Sequence, residues 1–176
     1  MSIVITGTPG VGKHTITDTI AGKLGLSIID VNAVAAGSGL FHDGDVDVSI
    51  LGKIIRDSII DPSIIVGHLA PYLLYSEQAK RVIVLRRDPY ELLDTYKKRR
   101  YTDRKKMDNA ASEILGVIFH DARDRFGSKA VQVKVDNKDA TTYRVLDAIN
   151  SGHGDSDIDW LGMVARNGDL ERFFSY

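Results

Sequence analysis

A glycine-rich segment near the start of the chain has the composition of a phosphate-binding loop. The run Gly7-Thr8-Pro9-Gly10-Val11-Gly12-Lys13, called the phosphate loop below, matches the first seven positions of the pattern G-x-x-x-x-G-K-[S/T]. Glycines let the backbone form a nest of N–H groups around phosphate oxygens, and the dipole of a following helix adds positive potential. The lysine supplies a mobile charge for β- and γ-phosphates. The alternative interpretation is a turn between a strand and a helix that binds nothing.

The residue after the loop departs from this pattern. A Ser or Thr hydroxyl normally contacts Mg²⁺ at that position, whereas this chain has His14, followed by Thr15. We expect Thr15 to lie near an α-phosphate. We also expect nucleotide binding to tolerate the exchange at position 14 better than catalysis does.

The elements that must position the loop alternate between strands and helices. Apolar runs predict strands at residues 3–5, 27–29, 64–66 and 82–85, and valines that alternate with polar residues predict a fifth strand at 131–135. Helical periodicity predicts helices from the loop to Gly25, from Ser49 to Ile59, from Asp88-Pro89 into Lys97–Arg100, from Asp108 to about Arg125 and from Thr141 to Ile149. This alternation predicts one α/β domain over residues 1–176, a three-layer fold whose five-stranded parallel sheet has helices on both faces.

An acidic, turn-rich stretch from Leu40 to Asp47 predicts a mobile loop. Its potential metal ligands are His42, Asp43, Asp45 and Asp47. Gly44 and the absence of a terminal Glu break the pattern of a calcium loop, so we expect no metal site built from protein ligands alone.

Composition excludes several classes of protein. The 176 residues include 23 Lys and Arg against 24 Asp and Glu, and no cysteine. The balanced charge argues against a DNA-binding protein, and the lack of cysteine excludes disulfides and thiolate metal sites. No apolar run approaches the roughly 20 residues that span a bilayer, and the first residues lack the pattern of a signal peptide. We expect a cytoplasmic protein with no membrane partner, whose tail aromatics Trp160, Phe173 and Phe174 pack on the core.

Further motifs follow the loop in order. They are Gly67-His68-Leu69, Val82-Ile83-Val84-Leu85-Arg86, Arg99-Arg100-Tyr101, Lys105-Lys106, Asp108-Asn109 with Glu113-Ile114, and Asn137-Lys138. Together with Ile5-Thr6 and the loop, this set resembles the small adenylate kinases of the archaeal and eukaryotic type, P-loop nucleoside monophosphate kinases also known as ribosome-assembly ATPases. The resemblance extends over about residues 3–150.

The resemblance implies roles for named segments and residues. A monophosphate-binding region would lie at about residues 30–53, and a lid that closes over the triphosphate at about residues 98–108. The nucleotide-binding residues it implies are Gly10, Gly12, Lys13, His14, Thr15, Arg99 and Lys138, with Lys138 beside the adenine. Lys13 and Arg99 would be the catalytic pair that neutralises the transferring phosphoryl group.

Two of these features allow other interpretations. The basic run of the lid is also typical of a solvated helix end or of a patch that touches RNA. His68 follows a buried strand at the edge where ligands gather in α/β sheets, but it is equally consistent with a hydrogen-bonded histidine that supports the loop.

Three positions differ from the family pattern. His14 replaces Thr, Val66 replaces an acidic residue, and Arg100 replaces the glycine of Arg-Gly-Tyr. The first two changes remove oxygen ligands on the magnesium side, so we expect Mg²⁺ to be carried mainly by ATP and phosphoryl transfer to be weak. The imidazole of His14 favours Mn²⁺ or Co²⁺ as activators.

The implied reaction is ATP + AMP ⇌ 2 ADP, with AMP or another nucleoside monophosphate as the acceptor and with an accompanying ATPase activity. Two alternatives remain open. One is a nucleotide-dependent assembly factor with little kinase activity, whose partner is a small-subunit ribosomal protein. The other is a P-loop kinase of a small metabolite such as a sugar acid.

Overall fold

The apolar runs of the sequence form one parallel sheet. The computed structural model describes residues 1–42 and 45–175, without the side chains of residues 41–46. Its strands are β1 (Ser2–Thr6), β2 (Ser27–Asp30), β3 (Phe41–His42), β4 (Asp45–Val46), β5 (Ser63–Val66), β6 (Ala79–Arg86) and β7 (Ala130–Lys134). Five of them pair in the order β2-β5-β1-β6-β7, and every pairing is parallel. The predicted five-stranded sheet is therefore confirmed.

Helices connect successive strands across both faces of the sheet. They are α1 (Lys13–Leu24), α2 (Val31–Gly37), α3 (Val48–Ser58), α4 (Ala70–Leu73), α5 (Pro89–Lys98), α6 (Asp103–Leu115), α7 (Val117–Phe126), α8 (Lys138–Ser151), α9 (Trp160–Arg166) and α10 (Leu170–Phe174). Short 3₁₀ turns lie at Ser76–Gln78 and Gly127–Lys129. Among the helices of the described residues, none is long and apolar enough to cross a membrane.

Two hydrophobic clusters cover the two faces of the sheet. Alternate residues of one strand enter different clusters: Ile3 and Ile5 of β1 join the cluster beneath α1 and α8, and Val4 joins the cluster beneath α3, α4 and α7. Because both faces are covered, the central strands β1, β5 and β6 carry continuous apolar runs rather than an alternation of apolar and polar residues. The predicted three-layer α/β architecture is confirmed.

The end of the chain forms a third cluster on the outer side of α5 and α6. Its buried members are Leu93, Ala110, Ile114, Trp160, Val164 and Phe173. The rings of Phe173 and Tyr90 meet edge to face, with centroids 5.4 Å apart. Trp160 and Phe173 pack as predicted, whereas the side chain of Phe174 is 37% exposed.

The predicted loop at Leu40–Asp47 is wrong for part of its backbone. Phe41 and His42 pair antiparallel with Val46 and Asp45, so each strand of this ladder has two residues. Residues 43–44 lie outside the described residues. An Asp-Gly pair between two short segments is a hairpin signal, which the acidic composition obscured.

Several helix boundaries also differ from prediction, and α8 begins at Lys138 rather than at Thr141. Asp47 rather than Ser49 caps α3, because its carboxylate accepts hydrogen bonds from the backbone N–H groups of Ser49 and Ile50. The helix predicted from Asp108 begins at Asp103 and breaks at Gly116, whose φ of 64° ends α6 before α7 starts. Glycine adopts this left-handed conformation without a Cβ penalty, so the apolar periodicity continues across a real break.

Candidate active site

The phosphate loop joins β1 to α1 in a conformation that requires its glycines. Gly7 has a φ of 137°, and a Cβ at this position would collide with the carbonyl oxygen of Leu85. Gly10 has a φ of 94°, and its Cβ would lie 2.9 Å from Cε1 of the Tyr96 ring. Gly12 precedes α1 with no side chain that caps the helix. The N-terminal end of α1 therefore keeps free N–H groups for an anion.

Lys13 is folded back against its own loop. Its Nζ donates to the carbonyl oxygens of Gly7 at 2.8 Å and Thr8 at 3.1 Å, and the residue is only 6% exposed. Burial, and after it the positive charge of Arg99, lower the pKa of Lys13 to about 8, although Glu113 and Asp30 oppose the shift. The ammonium group is thus poised to exchange carbonyl partners for phosphate oxygens.

Two side chains, Tyr96 of α5 and Glu113 of α6, hold the phosphate loop in place. The Tyr96 hydroxyl of α5 donates to the carbonyl oxygen of Pro9 at 2.6 Å. The Thr8 hydroxyl donates to Oε2 of Glu113 in α6 at 2.5 Å. The link between these two helices carries Arg99, so the loop and the base of the lid share their supports.

Glu113 is the centre of a buried polar network. Its Oε1 accepts hydrogen bonds from Nε of Arg86 at 2.8 Å, from the backbone N–H of Arg87 at 3.1 Å and from Nε1 of Trp160 at 3.2 Å. Glu113 and Arg86 are 1% and 4% exposed. Burial raises the pKa of Glu113, but Arg86 and the donated hydrogen bonds oppose that rise. Because every partner is a donor, the ionised carboxylate fits this setting.

The structure alters the expectation for the metal side of the site. Nε2 of His14 lies 2.9 Å from Oδ2 of Asp30. Asp30 ends β2 and pairs in register with Val66, the buried last residue of β5. Position 66 lacks a carboxylate, but Asp30 supplies one on the neighbouring strand. Sequence reasoning missed Asp30 as a partner of His14, although its place at the carboxyl end of a parallel strand was a signal.

The predicted lid follows α5 and continues into α6. Arg99 caps α5, Thr102 caps α6, and Arg100 between them has a φ of 56°, the one positive φ outside glycine in the described chain. This left-handed conformation favours glycine, which explains why the family pattern has glycine here. Lys105 lies over the Tyr101 ring, 4.5 Å from its centroid.

A cleft of about 580 Å³ brings most of the predicted site residues together. Its walls include the loop residues Gly10, Gly12, Lys13, His14 and Thr15, and the lid residues Arg99, Tyr101 and Lys105. The cleft is also lined by Asn32, His68, Leu69, Tyr72, Val117 and Ile118. One predicted residue lies elsewhere: Lys138 lines a smaller cavity of about 150 Å³ that shares Gly12 and Thr15 with the cleft.

His68 lies on the cleft wall, consistent with both interpretations of this residue. Its side chain faces Lys13 and Lys105, and its backbone carbonyl accepts a hydrogen bond from the Thr6 hydroxyl at 3.4 Å. Burial lowers the pKa of His68, and the two lysine charges lower it further. A neutral imidazole therefore borders the cleft at neutral pH. Within the described residues, no group of three or more acidic, histidine or cysteine side chains forms a metal cluster.

Comparisons with known proteins place the chain in a family. The family model described as an AAA domain matches residues 3–116. A protein of Sulfurisphaera tokodaii named "Putative adenylate kinase" is 34% identical over 93% of this chain and 87% of its own length. A protein of the same name from Pyrobaculum aerophilum is 32% identical over 96% of this chain and 90% of its own.

Solved structures show the same fold at low sequence identity. A gluconokinase from Sinorhizobium meliloti 1021 superposes with a TM-score of 0.57 and 17% identity, covering 99% of this chain and 97% of its own. A shikimate kinase from Aquifex aeolicus superposes with a TM-score of 0.54 and 14% identity over 86% and 97%. These likenesses establish the α/β P-loop fold. The sequence relatives and the family model show that the chain belongs to the archaeal small adenylate kinase family of P-loop phosphotransferases.

Proposed function

We propose that this protein transfers the γ-phosphoryl group of ATP to AMP, giving two molecules of ADP. The observation that carries the proposal is the convergence of Lys13 and Arg99 on one cleft whose lining also includes Asn32, His68 and Tyr72. The phosphate loop is the donor side. The wall of Asn32, His68 and Tyr72 is the acceptor side, and residues 30–53 form the monophosphate-binding region.

The chemistry depends on charge neutralisation and positioning. The bond between the γ-phosphorus and the β-γ bridging oxygen breaks while a phosphate oxygen of AMP bonds to that phosphorus. Lys13 leaves its carbonyl partners and follows the moving group, and Arg99 neutralises it from the lid. No general base is needed, because a monophosphate oxygen is already a nucleophile.

Adjacent cavities support an orientation for ATP. The N–H groups at Gly10, Gly12, Lys13 and His14 hold the β-phosphate, and Thr15 approaches the α-phosphate. The cavity of Lys138 adjoins the cleft at Gly12 and Thr15. We assign this cavity to the adenine.

The residues near position 14 fit a divalent metal held mainly by the nucleotide. Asp30 offers a carboxylate oxygen and His14 an imidazole nitrogen, 2.9 Å apart at the mouth of the loop. Two protein ligands are too few to enclose a metal, so phosphate oxygens of the nucleotide and water would have to supply its other ligands. When bound, Mg²⁺ would neutralise charge on the transferring phosphates.

A second candidate activity is ATP hydrolysis. Arg99 is exposed, so water reaches the region above the loop in this open arrangement. Slow hydrolysis of ATP in the absence of an acceptor would suit a ribosome-assembly factor. The family resemblance suggests a small-subunit ribosomal protein as the partner of such a factor.

Our first prediction concerns Lys13. Since the pKa of Lys13 is about 8, ADP affinity should fall roughly tenfold between about pH 7 and 9.5 as the free ammonium group loses its proton. Lys13→Met should bind ADP weakly at all pH values and lack turnover. Titration calorimetry across this pH range measures the ADP affinity of the natural protein and of Lys13→Met. An ADP affinity of the natural protein that does not change with pH would contradict the prediction.

The effect of Lys13 on stability has the opposite sign. Its folded pKa lies below the unfolded value of 10.5, so the unfolded chain binds more protons between those two values. This residue therefore makes the free protein more stable as pH rises through that window. ADP affinity and this contribution to stability should change in opposite directions.

Our second prediction concerns the acceptor. If the wall of Asn32, His68 and Tyr72 holds a monophosphate, millimolar AMP should raise the unfolding temperature, and the rise should add to that from a non-hydrolysable ATP analogue. Differential scanning fluorimetry measures the shifts. Stabilisation by the triphosphate analogue alone would favour the ATPase.

Our third prediction concerns the metal. Mn²⁺ should support turnover several-fold better than Mg²⁺ in the natural protein, because imidazole suits Mn²⁺ better. His14→Thr should reverse that preference and lower the Mg²⁺ concentration for half-maximal rate. Asp30→Asn, which keeps a side chain able to cap α2, should raise the Mg²⁺ concentration for half-maximal rate. Identical metal profiles in all three proteins would show that this pair does not touch the metal.

An acid introduced at position 66 is not a useful partner for that test. Val66 is fully buried and lies in register with Asp30. Val66→Asp would bury a second carboxylate beside the first, so a lower rate would not distinguish a metal effect from a folding defect.

A further inference from the structure

Glu113 lies beneath the phosphate loop, where no substrate reaches it. We propose that Glu113 is a positioning residue for the loop, and that the C-terminal segment (residues 158–174) holds Glu113 in place through Trp160. The proposal rests on nucleotide binding at the loop, as set out above. It assigns a role in that binding to a part of the chain about 150 residues away.

On the loop side, Glu113 fixes the peptide that holds the lysine. The Thr8 hydroxyl donates to Oε2 of Glu113. The backbone carbonyl oxygen of Thr8 accepts hydrogen bonds from Nζ of Lys13 at 3.1 Å and from the backbone N–H of Val11 at 3.3 Å. A rotation of Thr8 would therefore move the partner of the ammonium group and the first turn of the nest together.

On the opposite side, Trp160 sets the orientation of the carboxylate. Its indole N–H donates to Oε1 of Glu113, the oxygen that also accepts from Arg86 and from the backbone of Arg87. The indole is buried by the packing of α9 and α10 on α6. Removal of this donor would let the carboxylate turn toward Arg86 and away from Thr8, because a buried carboxylate follows its remaining donors.

The charge of Glu113 adds to the geometric effect. Four charged or titratable groups face Lys13: Asp30 from the end of β2, His68 after β5, Arg99 after α5, and Glu113 from α6. Arg99 disfavours the ammonium form, whereas Glu113 and Asp30 favour it. Glu113 therefore supports the protonated lysine that phosphate binding needs, as well as the position of its carbonyl partners.

A structural role and a positioning role predict different results. If Trp160 only packs, its loss lowers the unfolding temperature and leaves nucleotide affinity unchanged well below that temperature. If it positions Glu113, nucleotide affinity falls in the folded protein. Trp160→Phe keeps an aromatic ring and removes the indole donor. Phe173→Leu, in the same cluster but without a bond to Glu113, is the matched control for packing.

The experiment measures ADP affinity by titration calorimetry at 15 °C, with the unfolding temperature of each variant measured in parallel. Trp160→Phe should weaken ADP binding about threefold to tenfold, and Thr8→Val about tenfold or more, with Thr8→Ser retaining more affinity than Thr8→Val. Phe173→Leu should lower the unfolding temperature and keep ADP affinity within about twofold of the natural protein.

The double variant tests the route through Glu113. If both residues act on this carboxylate, Thr8→Val with Trp160→Phe should weaken binding by less than the product of the two single effects. Unchanged affinity in Trp160→Phe, or fully multiplicative effects, would overturn the inference. Failure of the natural protein to bind ADP would instead overturn the proposed function, so the two failures are distinguishable.

Discussion

The buried ion pair of Arg86 and Glu113 is the interaction on which the site depends. It joins the end of β6 to α6, and through Thr8 and Trp160 it reaches the phosphate loop and the C-terminal segment. A charge pair so fully removed from water is tolerable only when its remaining polar atoms are bonded. Gln132 and the carbonyl oxygen of Glu113 complete the bonds of Arg86. Loss of one charge would leave the other buried and unpaired.

The same network limits how the lid can move. α5 is tied to the phosphate loop by Tyr96, and the C-terminal half of α6 is tied to it by Glu113. If residues 98–108 form the lid that we predict, we expect its closure over a triphosphate to come from the link around Arg99 and Arg100. Arg100 already adopts a left-handed backbone conformation that costs free energy for a residue with a Cβ. Rigid supports with a short movable link suit a site that must position charge without reorganising its base.

Local patterns predicted most of the architecture. The apolar runs around Ile5 and Ile83 predicted the sheet, because strands that are buried on both faces are apolar along their length. The spacing of the loop glycines predicted the phosphate loop, because that spacing has few other uses. The rest depends on contacts between residues far apart in the chain. Nothing near Glu113 in the sequence indicates Thr8 or Trp160. The pairing of Asp30 beside Val66 follows only from strand register, and the break at Gly116 interrupts a periodicity that continues past it.

We propose above all that the γ-phosphoryl group of ATP is transferred in this cleft to a nucleoside monophosphate. The most direct measurement is ³¹P NMR of ATP with Mg²⁺ or Mn²⁺ and a single acceptor, with AMP, CMP, gluconate and water compared in turn. We predict that AMP gives two ADP for each ATP consumed, with little free phosphate, and that Lys13→Met abolishes the conversion. Release of free phosphate at a rate independent of AMP would contradict it.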